Sequence, residues 1–501
     1  MKQVTSAGGA PIRILIVGGG CAGMSAALRL QQLLRPQLRG GGAEITVVEP
    51  QSYLTYQPLL AEVAAGSIDP RHVVVPLRRV LPHCRVLTAR VTRIDHAARR
   101  AWIDTAPRGE HGTPTELAYD LLVAAPGSVS RTAPVPGLAE HGLGFATVGE
   151  AVRLRNHVLE QLDLASSTRD PALRQAALTF VFVGAGYAGV GAIAELEDMA
   201  RYAARGYHNL AAEDLRWVLV EATDRILPEE SPELAAHTLA ELRDRSVDVR
   251  LGTTLDSAVD RVMTLSDGSR FAARTLVWTA GVRPAPLLRD TDLPLDAAGR
   301  VRCLPTLQIV GPDGAPLPDA WAVGDCAAVP VATAPAPKAA SVATVSSGPH
   351  TDPPTDSPTG SPTDPAVDPA VDSLPDASPS AVVALCAPNA QHALAQADLL
   401  AANIAAALAG RPQHPYRPTR QDCSTSLGIG RGVAHTKRGH LTGRRAWWLH
   451  RARHLQRLPS PDRRVRVLTD WLLGSLFNRE VVSLGSVERP RSEFEAGAEE
   501  P

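Results

Sequence analysis

Ile12-Arg13-Ile14-Leu15-Ile16-Val17-Gly18-Gly19-Gly20-Cys21-Ala22-Gly23 stands near the start of the chain. Leu178-Thr179-Phe180-Val181-Phe182-Val183-Gly184-Ala185-Gly186-Tyr187-Ala188-Gly189 repeats its pattern, with first glycines 166 residues apart (184 − 18). In each, a short continuous apolar run of the kind a buried parallel strand needs leads into a glycine-rich turn, and the turn opens a helical stretch. The glycines have separate tasks. The first permits the tight turn, the second lets backbone approach a pyrophosphate, and the third lets helix and strand pack closely. The helix start then offers free N–H groups and partial positive charge to phosphates. One glycine-rich turn is a common feature. Two in the same strand–turn–helix context imply two bound dinucleotides, and therefore electron transfer between cofactors.

Working outward, each fingerprint is completed by a second strand that ends in an acid. Glu44-Ile45-Thr46-Val47-Val48 ends at Glu49, and Arg216-Trp217-Val218-Leu219-Val220 ends at Glu221. Carboxylates there bind adenosine ribose hydroxyls. A carboxylate at 221 also repels a 2′-phosphate, which favours NADH over NADPH, and nearby Arg225 weakens that preference slightly. A third motif, Ala320-Trp321-Ala322-Val323-Gly324-Asp325-Cys326, is an apolar strand ending in Gly-Asp. Its Asp325 reads either as a helix N-cap or as a carboxylate aimed at a flavin's ribityl hydroxyls, and two fingerprints in the same chain favour the flavin.

The 501 residues suffice for two to four domains, and the hydrophobic fraction of 44% is ordinary for a globular protein. A net charge of −1 gives no electrostatic case for nucleic acid. Six scattered cysteines form no Cys-x-x-Cys or Cys-x4-Cys pair, so neither a redox dithiol nor a zinc knuckle is expected, and no metal site is expected. The first residues lack a signal-peptide core, and no run of 18 apolar residues occurs, so any membrane contact is expected to be peripheral. Residues 331–380 are rich in Pro, Thr, Asp, Ser and Ala without Phe, Tyr or Trp, and read as a disordered insertion.

The chain resembles the two-dinucleotide-binding-domain flavoproteins, and among them the type II NADH dehydrogenases, which are single-subunit NADH:quinone oxidoreductases. The resemblance rests on Tyr56-Gln57-Pro58-Leu59-Leu60-Ala61-Glu62-Val63-Ala64-Ala65-Gly66 with Val75-Pro76-Leu77-Arg78, on Pro136-Gly137-Leu138-Ala139-Glu140-His141-Gly142, on Val277-Trp278-Thr279-Ala280-Gly281-Val282, and on Ala390-Gln391-His392-Ala393. It covers the chain apart from 331–380. It implies an α/β fold of two Rossmann-like domains, the FAD domain being discontinuous, plus a C-terminal helical region. The expected division is FAD domain 12–145, NADH domain 146–282, FAD domain 283–330 and 381–412, and a basic, Trp-rich region 413–490.

Carried over motif by motif, Gly18, Gly20, Ala22, Gly23, Glu49, Gly324 and Asp325 hold FAD. Gly184, Gly186, Gly189, Glu221 and Gly281 hold NADH. Gln57 and Pro58 lie by the flavin ring, and Gln391 faces the acceptor, which the resemblance makes a quinone. Hydride passes from cofactor to cofactor and needs no side-chain nucleophile. The alternatives are a soluble NADH reductase with another acceptor and a non-catalytic NADH-sensing flavoprotein. The chain departs from the family pattern at Gly191, where relatives carry a Glu associated with proton handling; Glu195, one turn on, is the candidate substitute. In the Ala-Gln motif the later glutamine is Gln396.

Within 440–480, arginines alternate with Trp447, Trp448 and Leu449, and Val465, Val467, Leu468, Trp471, Leu472, Leu473, Leu476 and Phe477 follow. This composition suits a monotopic membrane anchor. Helices packed on the core, or a homodimer interface, would show the same pattern. The expected location is cytoplasmic, peripheral on the inner face of the cell membrane.

Overall fold

The structure is a computed structural model that describes residues 10–106, 112–331, 384–418, 423–436, 439–477, 479 and 481–483. Apart from Val331, the segment expected to be a disordered insertion lies outside the described residues.

The strand Ile12–Val17 is central in a six-stranded sheet. It runs parallel to Ala43–Glu49 on one side and Leu121–Ala124 on the other, with Ile14 opposite both Ile45 and Leu121. Arg85–Thr88 extends the sheet at one edge, and Pro316–Ala322 with Gln308–Val310 at the other. The continuous apolar runs are explained by burial on both faces: Ile14, Leu15, Ile16 and Val17 are all core residues. One face is covered by the first fingerprint helix, Cys21–Leu33. A late helix, Ala390–Leu408, shares a core with it, so Met24, Leu30, Leu400 and Ile404 fall in one cluster although the chain between them is long.

A second sheet has the order Gly142–Gly144, Thr275–Trp278, Thr179–Val183, Arg216–Val220, Val247–Arg250, every pair parallel. The helix Val148–Ser167 begins at a capping box between Thr147 and Glu150. The strand Gly142–Gly144 pairs with Thr275–Trp278. It therefore belongs to the second sheet, and this sheet starts a few residues before the expected boundary at 146. Between the edge strand Arg85–Thr88 and Leu121–Ala124 the chain forms an antiparallel sheet of Arg90–Asp95, Arg100–Asp104 and Thr115–Ala118.

The C-terminal region is a small antiparallel sheet, Ser424–Ser426, Gly432–Thr436 and Gly439–Thr442, followed by helices Gly443–Arg457 and Pro461–Phe477. Its tryptophans divide in a way that corrects the reading of them as interfacial residues. Trp447 and Trp471 are buried, and the Arg451 guanidinium lies over both rings at 3.8 and 4.7 Å. Trp448 alone of the three is exposed. The apolar residues of the last helix divide as well. Val467 and Trp471 pack on the second core cluster, while Val465, Leu468, Leu472, Leu473, Leu476 and Phe477 face outward. Among the described residues no helix is long and apolar enough to cross a membrane.

Candidate functional site

The two fingerprints are near copies in backbone geometry. Gly18 and Gly184 have φ of +102° and +103°, values that a side chain would strain. A Cβ on Gly23 would overlap the Gly18 carbonyl oxygen, and one on Gly189 would overlap that of Gly184, which is the close helix–turn approach the pattern requires. Gly20 and Gly186 differ: a Cβ on either meets nothing within 4 Å. The protein itself therefore gives no steric reason for glycine there, while a phosphate group lying against the turn would. Both helices begin at these glycines with no side-chain cap and no acidic residue in the first turn. Their first amide groups are thus left to accept an anion.

The two acids repeat one another too. Glu49 accepts the Gly19 amide at 2.7 Å and the Gln51 amide at 3.2 Å. Glu221 accepts the Ala185 amide at 2.7 Å and the Thr223 amide at 3.0 Å. Each carboxylate is clamped by its own turn and held at the carboxyl end of the second strand. Burial pushes the Glu49 carboxyl up, and the two amides oppose this.

Between the two sheets lies a cavity of about 740 Å³. It collects Gln57 and Pro58 from the short helix Gln57–Leu59, Tyr187, Ala188 and Gly191 from the second fingerprint helix, Asp325 from the Gly-Asp turn, and Gln391 from the late helix. Asp325 accepts a 2.7 Å hydrogen bond from Ser128 Oγ. Gly324 has φ +81°, and its Cβ would sit 2.9 Å from that of Ala22, so the Gly-Asp turn and the first fingerprint helix touch. Gln57 Nε2 donates to the Ala146 carbonyl at 3.1 Å, and Gln391 Nε2 lies 3.5 Å from Cys423 Sγ. Gly281, with φ +83°, forms the turn after Thr275–Trp278, and its carbonyl accepts the Arg131 amide. Gln396 is buried and donates nothing to the cavity; its Oε1 accepts the Gly324 amide at 3.1 Å and fixes the Gly-Asp turn.

One expectation changes. Glu195 does not stand in for the carboxylate missing at Gly191. It is buried, accepts from Ser426 Oγ and the Gly428 amide, and pairs with Arg479 at 3.0 Å. The carboxylates that do line the cavity are Glu62, Glu229, Glu230 and Asp325. Of these, Glu230 accepts from the Tyr187 hydroxyl and Glu229 from Asn389. Glu62, on the short helix Leu60–Ala64, is bound to the C-terminal helices through Trp471 Nε1 at 2.6 Å. Reading the sequence alone missed this, together with His450, His454 and Arg457 on the cavity wall. Their only signal was a basic stretch with interspersed histidines.

All six cysteines are free. Burial pushes the thiols of Cys84, Cys326 and Cys423 up to about 12 and that of Cys21 up to about 11, so none of these is poised as a thiolate. Among the described residues no group of three or more His, Cys, Asp or Glu could hold a metal ion.

Comparison with known proteins identifies the family. The sequence pattern described as pyridine nucleotide-disulphide oxidoreductase matches residues 12–346. The type II NADH:quinone oxidoreductase Ndh of Mycobacterium tuberculosis is 30% identical over 329 residues, 63% of this chain and 67% of that one. An external alternative NADH-ubiquinone oxidoreductase of Yarrowia mitochondria (Yarrowia lipolytica) is 29% identical over 302 residues, 57% of this chain and 51% of that one. Among solved structures, NDH2 from Plasmodium falciparum in complex with NADH superposes with a TM-score of 0.74 over 94% of this chain and 99% of that one; at 14% identity this is a likeness of fold.

Proposed function

The chain belongs to the pyridine nucleotide-disulphide oxidoreductase family, and within it to the type II NADH:quinone oxidoreductases; from that premise we propose that it takes hydride from NADH and passes two electrons to a quinone. The observation that carries the reading is the shared cavity. Residues of both fingerprint domains, the Gly-Asp turn and the late helix meet around one volume, so two cofactors held by the two fingerprints would meet there with a third molecule.

Gly18, Gly20, Ala22, Gly23, Glu49, Gly324 and Asp325 would hold FAD, which when bound supplies a two-electron carrier between hydride donor and acceptor. Gly184, Gly186, Gly189, Glu221 and Gly281 would hold NADH. Everything else the protein does is positioning. The glycine turns and helix starts seat the pyrophosphates, Glu49 and Glu221 fix the riboses, and Asp325 with Ser128 anchors the sugar chain entering the cavity. Gln57 and Gln391 present amides where rings would stack, and proximity of donor to acceptor is the main catalytic resource in such transfer. With no poised thiol pair, a disulfide acceptor has no chemistry to use here, which leaves a quinone. We read the FAD domain as 12–145, 283–330 and 381–412, with the three residues of Gly142–Gly144 given to the NADH domain.

The quinone reading makes a membrane the natural source of substrate, and the outward face of Pro461–Phe477 suits one. Leu468, Leu472 and Leu476 lie about one turn apart, are roughly half or more exposed, and are followed by Phe477. We assign this face to peripheral docking on the inner side of the cell membrane; a homodimer through the same face is the competing occupant.

The function is tested by mixing holoenzyme with NADH and a short-chain quinone. Flavin bleaching by NADH followed by quinone-dependent recovery is expected. Bleaching without recovery would exclude quinone as acceptor, and absence of bleaching would exclude the NADH site. Docking is tested by Leu472→Asp/Leu476→Asp. Loss of vesicle co-sedimentation with an unchanged sedimentation coefficient supports the membrane; a dimer-to-monomer change with unchanged vesicle binding supports the homodimer.

A further inference from the structure

Glu62 is 2% exposed, yet it lines the cavity. Its two oxygens have different surroundings. Oε2 accepts from Trp471 Nε1 at 2.6 Å and faces the Arg451 guanidinium at 3.4 Å. Oε1 accepts no hydrogen bond at normal distance and faces His450 Nε2 at 3.6 Å, within ion-pair range. His450 is also buried and also on the cavity wall. Its other nitrogen, Nδ1, lies 3.1 Å from the Ser424 carbonyl oxygen. A carbonyl can only accept, so Nδ1 carries a hydrogen. In a neutral ring Nε2 would then turn a lone pair toward the carboxylate oxygen, two acceptors facing each other with no other donor bonded to Oε1. A proton on Nε2 removes the conflict and turns it into a charge-assisted contact.

We propose that Glu62 and His450 hold one proton between them, as carboxylate and imidazolium, and release it into the cavity to the acceptor that takes the two electrons. This rests on the quinone reading above.

The neighbours support the assignment. Burial alone would raise the Glu62 carboxyl, but His450, Arg451 and Trp471 outweigh it and hold the carboxyl below its usual range. His454, on the next turn, is kept neutral by burial and by the positive charges of His450, Arg457 and Arg453. Its Nδ1 meets the Tyr56 hydroxyl at 3.0 Å, and its ring centre lies 4.4 Å from that of His450. Further back, Arg479 pairs with Glu195 and Asp198. Gly191, also on the cavity wall, brings no carboxylate; its Cβ position is 3.6 Å from that of Ala61, the residue before Glu62.

The stoichiometry needs such a group. NADH + H⁺ + quinone gives NAD⁺ + quinol. The hydride carries both electrons and one proton, and the second proton comes from water. His450 gives up its Nε2 proton to a quinone oxygen, an O–H bond forms as the N–H bond breaks, and the pair is reprotonated from solvent through the open side of the cavity.

The test uses holoenzyme labelled with ¹⁵N-histidine, the His450 signal being identified by its loss in His450→Gln. At pH 7 both His450 nitrogens are expected in the protonated range, and Glu62→Gln is expected to return one to the unprotonated range. In parallel, NADH turnover is measured with a quinone and with ferricyanide, which takes electrons and no proton. The quinone-to-ferricyanide ratio is expected to fall at least tenfold in Glu62→Gln and in His450→Gln. An unprotonated His450 nitrogen in the unsubstituted protein at pH 7 overturns the proposal, as does an unchanged ratio in His450→Gln. Should Glu62→Gln not fold, the unsubstituted spectrum and His450→Gln still decide. If the unsubstituted holoenzyme reduces ferricyanide but no quinone, the quinone reading fails, while the spectrum still reports whether the pair holds its proton.

Discussion

Gly20→Ala and Gly23→Ala add the same methyl group three residues apart on one turn, and the structure predicts different consequences. At Gly23 the new Cβ would lie 2.9 Å from the Gly18 carbonyl carbon and overlap its oxygen, with the Ala125 Cβ at 3.3 Å behind it. Ordinary carbon contacts lie near 3.5–4.0 Å, so the helix Cys21–Leu33 must back away by on the order of 1 Å. Overpacking of this kind costs about 1–3 kcal/mol. At about 2–4 °C per kcal/mol for a domain of this size, the flavin-free protein should melt several degrees lower. At Gly20 a Cβ enters open space and φ is −66°, so the fold loses at most the modest difference between Gly and Ala as an N-cap, about 1 kcal/mol or less. That space is where a pyrophosphate would lie. FAD affinity should fall at least tenfold, which is about 1.4 kcal/mol. Differential scanning fluorimetry of stripped protein and fluorescence titration with FAD separate the two quantities. Gly23→Ala should lose both stability and FAD, and Gly20→Ala chiefly FAD. Should Gly20→Ala bind FAD as tightly as the unsubstituted chain, the pyrophosphate does not rest on this turn and the cofactor assignment of the first fingerprint is wrong.

Glu221→Gln keeps an acceptor for the Ala185 amide but removes the negative charge. The ratio of kcat/KM for NADPH to that for NADH should rise about tenfold, and an unchanged ratio would mean that Glu221 does not face the 2′ position. Gly191→Ala places its Cβ in ordinary contact with Ala61, 3.6 Å away, and removes a glycine from mid-helix. Thermal stability should increase by up to about 1 kcal/mol, and a loss would show that the helix needs glycine at this position. His157, partly buried with Nε2 3.0 Å from the Thr275 hydroxyl, has its pKa lowered to about 4 from 6.5, first by desolvation and then by nearby arginines. Its folded-state value is below its unfolded one, so the unfolded chain takes up a proton first. Its contribution is complete above pH 6.5 and is lost as pH falls from 6.5 toward 4, by at most about 1.4 kcal/mol per pH unit. Urea unfolding of His157→Gln against the unsubstituted protein should show a shallower decline across that window; parallel curves would remove His157 from the account.

The features legible in the sequence share one property: each is written within a few consecutive residues. A glycine pattern, the strand before it and the acid at the end of the next strand specify their own geometry, and Gly18, Gly23 and Glu49 stand where the pattern requires because backbone sterics leave few other solutions. Gln57, Asp325 and Gln391 are far apart in the chain but reach one cavity: Gln57 opens a short 3-10 helix, Asp325 follows the strand Pro316–Ala322, and Gln391 lies in the first turn of Ala390–Leu408. What composition could not settle was which face of a C-terminal helix turns inward. Trp447, Trp448 and Trp471 have the same chemistry, yet two are packed on Arg451 and one meets solvent. Both 3.6-residue periodicity and an interfacial anchor allow either outcome, and only the docking of Glu62 against Trp471 distinguishes them.

That docking also bears on why the site tolerates Gly191. A carboxylate at 191 would stand on the second fingerprint helix, against which the short helix Leu60–Ala64 packs. Glu62 stands on that short helix, and the histidine facing it belongs to the C-terminal helices, so the two halves of the proposed proton pair are brought together only when the C-terminal region is folded onto the cavity. The same helices carry the outward apolar face of Pro461–Phe477. Their packing therefore completes the cavity wall and fixes the direction of the apolar face in a single arrangement. A variant that weakens the buried anchor, such as Trp471→Ala, should lower quinone turnover and vesicle binding together, whereas Leu472→Asp/Leu476→Asp should lower vesicle binding and leave turnover of a water-soluble quinone intact. If Trp471→Ala changed only one of the two, the cavity wall and the docking face would be independent devices, and the C-terminal region would act as two separate parts.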